Sequence, residues 1–142
     1  MKRLLAVLLL GVTSLSAASC DNGGSSTDTP TSPSATLVTE NFTGTVDQGG
    51  TGVNPFTVTS SGGQVNITLT AAGPPTTIYM GLGVGSYAAP TCTLLTNGSV
   101  LAQAGTTAQL TGTVNAGTYC VEVFDVGNQT AQIAYTVTVT HY

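Results

Sequence analysis

Tryptophan is absent, lysine and arginine together number two, and histidine occurs once in the 142 residues. The two cations are Lys2 and Arg3, so the chain beyond residue 3 carries no lysine or arginine. Phosphate neutralisation by those side chains supplies most nucleic-acid affinity, which excludes nucleic acid as a partner. The six carboxylates leave the remainder net negative, and attachment to anionic lipid by charge is disfavoured as well. The lone histidine narrows the chemistry further. Ser-His-Asp catalysis needs an oriented imidazole, whereas His141 is the second-last residue, where chains fray, and an exposed end-of-strand side chain is expected. Glycosidase chemistry needs two carboxyl groups facing each other. Glu122 alternates with Tyr119, Val121 and Val123 onto the opposite face of its strand, and Asp125 falls at that strand's end, so both are expected to be solvated. No catalytic residue, cofactor or metal site is assigned, and the chain reads as non-enzymatic.

What is present begins with an ordered start. Met1-Lys2-Arg3 is positive, residues 4–12 are almost continuously apolar, and residues 13–19 are small and weakly polar, which is the pattern of a secretory signal. The apolar run is about ten residues, and a bilayer-spanning helix needs about twenty. The junction Ala17-Ala18-Ser19-Cys20 resembles the lipobox of bacterial lipoproteins, with Ala17 where that family usually has leucine. The resemblance implies that Cys20 is acylated and becomes the first residue of the mature chain, tethered to the cell membrane or outer membrane and facing periplasm or cell surface. The alternative is ordinary cleavage after Ala18, giving a secreted, soluble protein with a free thiol at Cys20. The cysteine count bears on the choice. An exported protein with three cysteines leaves one over, and acylation of Cys20 leaves Cys92 and Cys120 to form a disulfide. A metal pair is the rival use of these two thiols, but it needs further ligands, and His141 is the only histidine.

Residues 21–35 contain no large apolar side chain and read as a flexible tether, with a root-mean-square span of roughly 20 Å and an extended reach of about 50 Å. From residue 36 the composition changes to alternating threonine and aliphatic residues with frequent glycine. The organisation expected is therefore a signal at 1–19, a lipidated cysteine and linker at 20–35, and one domain at 36–142. About a hundred residues bury somewhat over 60% of their unfolded surface, enough for one modest core.

That domain reads as all-β. Gln64-Val65-Asn66-Ile67-Thr68-Leu69-Thr70 alternates cleanly, and the same period-two pattern recurs at residues 56–59, 78–84, 119–123 and 133–139. Weaker strands are expected at 42–46 and 108–114. Asn97-Gly98 suits a type I′ turn and predicts a tight hairpin there. Turn signals at Gly49-Gly50, Gly62-Gly63, Gly73-Pro74-Pro75, Asn115-Ala116-Gly117 and Gly127-Asn128 leave no room for a useful helix. Seven to nine antiparallel strands point to a small β-sandwich, jelly-roll or immunoglobulin-like, with one disulfide.

Three segments together resemble the bacterial pre-peptidase C-terminal domain. They are Ser61-Gly62-Gly63-Gln64-Val65-Asn66-Ile67-Thr68-Leu69, Asn97-Gly98-Ser99-Val100-Leu101-Ala102-Gln103, and Ala116-Gly117-Thr118-Tyr119-Cys120-Val121-Glu122-Val123. The resemblance covers residues 42–140 and implies a β-sandwich without catalytic activity, which in some relatives binds polysaccharide or fibrous protein. An Asp-rich segment of the family is replaced here by Gly81-Leu82-Gly83-Val84-Gly85-Ser86, so the family's calcium sites are not implied.

Two roles follow. In the first, the domain is an extracytoplasmic binding module for a polysaccharide or protein, its ligand contacts drawn from Tyr79, Tyr87, Asp125 and Asn128. In the second, it is a structural component of the envelope whose Thr-rich strands pair with another protein by β-augmentation. Asp125, Asn128 and Gln129 also offer oxygen atoms to a calcium ion in one loop, but without the regular acidic spacing of a dedicated site.

Overall fold

The computed structural model describes residues 35–59 and 62–142. The expected signal at 1–19, the acylation site Cys20 and the linker before residue 35 lie outside the described residues. Eight strands follow one another: β1 (Val38–Val46), β2 (Thr51–Val58), β3 (Gly63–Gly73), β4 (Tyr79–Ala88), β5 (Thr91–Gln103), β6 (Leu110–Val114), β7 (Gly117–Phe124) and β8 (Ile133–His141). They form two four-stranded antiparallel sheets, β1-β8-β3-β6 and β2-β7-β4-β5. The first strand therefore pairs with the last, the second with the seventh, the third with the sixth and the fourth with the fifth. A chain laid out as one long hairpin and then rolled up gives this order, which is that of a jelly roll.

The alternation in the sequence decides what the two sheets enclose. Val65, Ile67 and Leu69 of β3 and Ile133, Tyr135, Val137 and Val139 of β8 point inward from one sheet; Phe56, Val58, Met80, Leu82, Val121 and Val123 meet them from the other. Each such side chain removed from water contributes about 1.5–3 kcal/mol, which is what holds two otherwise Thr-rich sheets together. Outward positions on the first sheet are polar. Thr39, Asn41, Thr43 and Thr45 of β1 lie beside Thr140, Thr138, Thr136 and Ala134 of β8, and Asn41 Oδ1 accepts a 2.7 Å hydrogen bond from Thr138.

The outer face of the second sheet is built differently. Gly81, Gly83 and Gly85 open three successive outward positions on β4, and neighbours fill them: the Phe124 ring covers Gly81, Leu94 covers Gly83, and the backbone of Thr93 covers Gly85. The start of β5 thus curls over β4, which brings Cys92 within reach of Cys120 on the far side of that strand. Their Cα atoms are 5.9 Å apart and the disulfide is formed. On chain-entropy grounds a closed loop of this length contributes about 3.6 kcal/mol.

Two expectations are corrected. Asn97-Gly98 does not turn a hairpin: β5 pairs with β4 both before it, at Gly85↔Leu94, and after it, at Gly83↔Ser99. Residues 95–98 are instead a bulge looping out of one continuous strand. Asn97 alone has positive φ, at 59°, and Gly98 does not supply the second left-handed residue that a type I′ turn needs. The reversal between β4 and β5 falls at Ala89-Pro90. His141 is not a frayed, exposed residue either. It pairs with Val38 on one side and Val65 on the other, and only 2% of it is exposed. A strand hydrogen-bonded on both flanks up to its last residue has no freedom to fray.

Candidate functional site

One end of the sandwich opens into a groove of about 610 Å³, within the range of ordinary ligand sites. Val38 and Glu40 at the start of β1 and His141 at the end of β8 form one wall. Pro55, Phe56 and Thr57 of β2, Thr118 of β7 and Tyr87 of β4 form the other. These elements meet because the jelly roll places the first and last strands side by side and β2, β7 and β4 opposite them.

A polar pair sits in the first wall. Glu40 Oε1 lies 2.9 Å from His141 Nε2, and since a carboxylate accepts, Nε2 carries the proton. The imidazole is held from behind by Phe56, ring centroids 5.4 Å apart, and Phe56 in turn leans on Tyr119 at 6.0 Å. His141 Nδ1 is buried with no hydrogen-bond partner. Glu40 is about one-third exposed, so its carboxylate is both anchored and open to the groove. The threonine hydroxyls in the groove, Thr57, Thr59 and Thr118, make no hydrogen bond to the imidazole.

The four residues expected to touch ligand divide between the two ends of β4. Tyr87, half-buried, lines this groove. Tyr79 is at the opposite end, 48% exposed, where its carbonyl accepts from Asn128 Nδ2 at 3.0 Å. Asp125 stands in the same turn as Asn128, and its carboxylate is taken up by backbone. Oδ2 accepts from Gly49 N at 2.8 Å, and Oδ1 accepts from Gly127, Asn128 and Gln129 N at 2.8 to 3.3 Å. The Gly49 amide foremost, then those of Gly127, Gln129 and Asn128, hold the Asp125 carboxyl below the usual range. The amide end of buried Gln129 lies against the carbonyls of Val46 and Asp47, and with its nitrogen assigned to that side, as two acceptors require, it donates to them at 3.2 and 3.3 Å. Asp125 thus ties the end of β7 to the β1–β2 turn, and Asn128 ties the loop after β7 to the start of β4. Glu122 lies on the outer face of its sheet, and partial burial there pushes its carboxyl up.

The sequence reading missed Glu40, Phe56 and His141 as members of a site. Glu40 and His141 are 101 residues apart, and only the pairing of first and last strands joins them. A second, smaller hollow of about 160 Å³ lies under the 95–98 bulge, where Leu95 and Val84 face Leu110 and Val114 of β6. It is mostly apolar and carries no titratable group. Compared with known proteins, the chain matches no family model and no curated sequence.

Proposed function

We propose that this is a lipid-anchored protein of the bacterial cell envelope whose β-sandwich binds polysaccharide in the Glu40–Tyr87–His141 groove without turning it over. The observation that carries the reading is the composition of that groove. A carboxylate, three threonine hydroxyls and an aromatic side chain converge on one opening, with no lysine or arginine anywhere in the domain. Such a lining repels anionic ligands and suits hydroxyl-rich neutral ones: sugar hydroxyls donate to Glu40, and an apolar sugar face stacks on Tyr87. The resemblance to pre-peptidase C-terminal domains, some of which bind polymers, supports the same class. Lipid attachment at Cys20 is supported by the lipobox-like junction and by the mutual pairing of Cys92 and Cys120, which leaves Cys20 as the unpaired thiol.

Retention of the full exported chain on insoluble polysaccharides, peptidoglycan included, together with a glycan array, tests the binding. Tyr87→Ala and Glu40→Gln are expected to abolish retention, and Tyr79→Ala, at the other end of β4, to leave it intact. Absence of retention on every polymer rejects the reading. Mass spectrometry of the mature N-terminus tests the anchor: an acylated Cys20 is expected, and an unmodified peptide beginning at Ser19 refutes it.

A further inference from the structure

A sandwich has four edge strands, here β1 and β6 in one sheet and β2 and β5 in the other. An open edge invites another strand, and folded proteins guard against it with proline, bulges, lysine, inward-pointing charges or brevity. Three of the four edges carry such a device. Pro55 interrupts β2, where proline is tolerated only because its missing N–H faces away from the partner strand. The bulge at residues 95–98 breaks β5. β6 is only five residues long, and beyond it the edge of β3 is capped: Gly105 N donates to Leu69 O at 2.9 Å, Gln109 N to Ile67 O at 3.0 Å, and Leu69 N to Gln109 Oε1 at 2.8 Å.

β1 carries only one such feature, the inner-side carboxylate of Glu40, and that group is already held by His141 Nε2 at 2.9 Å. Its nine residues pair with β8 in unbroken register from Val38↔His141 to Val46↔Ile133, with no proline, lysine or bulge. Its other side pairs with no strand among the described residues. The side chains themselves suit one partner in particular. When β1 is laid antiparallel to a copy of itself about Phe42, Val38 faces Val46, Glu40 faces Gly44 and Phe42 faces Phe42 on the inner side. On the outer side Thr39 faces Thr45 and Asn41 faces Thr43. Apolar meets apolar, hydroxyl meets hydroxyl, and the strand's only charge, Glu40, lies opposite a glycine, so no like charges oppose each other.

We infer that β1 is a self-association edge, and that two copies of this chain join through it into one continuous eight-stranded sheet. β1 also supplies Val38 and Glu40 to the groove wall, but the inference does not rest on what the groove binds. Thr39 and Thr45 are exposed and point outward, so they can be changed without touching the core or the Asn41–Thr138 bond.

Sedimentation velocity of the full chain across a concentration series is the test. The wild type is expected to pass from monomer to dimer. Thr39→Lys with Thr45→Lys places lysine opposite lysine twice across the joint and is expected to raise the dissociation constant about tenfold. Thr39→Glu with Thr45→Lys places opposite charges at the same two points and is expected to restore or tighten the dimer. Circular dichroism confirms that each variant is folded. A wild type that stays monomeric at every concentration overturns the inference. So does a dimer that both double variants leave equally stable, because that dimer uses another face.

Discussion

His141 Nε2, on the last strand, donates to Glu40 Oε1, on the first, at 2.9 Å. The contact joins the two ends of the domain across the wall of the groove and leaves the second carboxylate oxygen of Glu40 open to a ligand. It also makes the C-terminal strand a structural member rather than a loose end.

Removing the imidazole takes away a buried ring that packs on Phe56 and leaves Glu40 unpartnered. His141→Ala is expected to cost about 2–4 kcal/mol, the range for large-to-small changes in a core. Glu40→Gln keeps an acceptor for Nε2–H and is expected to cost under about 1 kcal/mol. Urea denaturation of the two variants measures the difference. Equal and negligible losses for both would show that His141 is not packed as described.

Cutting the Cys92–Cys120 link reopens a loop of 28 residues' separation in the unfolded chain. Cys92→Ala with Cys120→Ala is expected to lower stability by about 3–4 kcal/mol, a large part of the 5–15 kcal/mol typical of a domain. Thermal melts with and without reductant should show the same loss in the wild type and none in the double variant. A reductant-insensitive wild type rejects the staple.

The two perturbed carboxyls predict pH effects of opposite sign. Asp125 is held low, chiefly by the Gly49 amide, so its contribution is present above the ordinary aspartate range and is lost as pH falls through its lowered value. Asp125→Ala is therefore expected to melt several degrees lower than wild type at neutral pH, with the gap closing on strong acidification. Glu122 is pushed up by burial, so the folded state prefers it protonated and loses stability as pH rises through its raised value. Glu122→Gln is expected to melt slightly higher than wild type at neutral pH. A gap for Asp125→Ala that persists unchanged in acid contradicts the backbone-amide account.

Much of the architecture was legible because burial and strand period coincide. Val65, Ile67 and Leu69 fall on one face of β3, and Ile133, Tyr135, Val137 and Val139 on one face of β8, wherever those strands end up in space. The disulfide partners were legible from cysteine count once Cys20 was set aside. Features that depend on a distant neighbour were not. Asn97-Gly98 carries a strong local turn signal, yet continued pairing of β5 with β4 on both sides overrides it. His141 looks terminal in the sequence and is buried only because β1, β3 and Phe56 enclose it. Tyr87 was singled out as a possible contact, but its groove is assembled from β1, β2, β7 and β8, none adjacent to it in sequence. The β4 glycines read as an ordinary strand interrupted by small residues, with no sign of what would cover them.

Tyr135 shows one use of glycine between the sheets: its ring passes between Gly44 and Gly52, and its hydroxyl accepts from Asn54 Nδ2 at 2.8 Å. Gly81 shows another on an outer face, where alanine is ordinarily harmless. A Cβ at Gly81 overlaps the Phe124 ring, an aromatic group partly buried against the sheet rather than the tip of a flexible chain. Gly81→Ala must therefore displace that ring and is expected to cost about 1–3 kcal/mol, the range for overpacking, despite the better strand propensity of alanine. The cause is separable from a backbone effect. With Phe124→Ala already in place the obstacle is gone, and adding Gly81→Ala is expected to be neutral or mildly stabilising, since alanine loses less conformational freedom on folding than glycine. A double-mutant cycle by urea denaturation measures the coupling. Additive losses would place the glycine requirement in the backbone of β4 and not in its contact with Phe124.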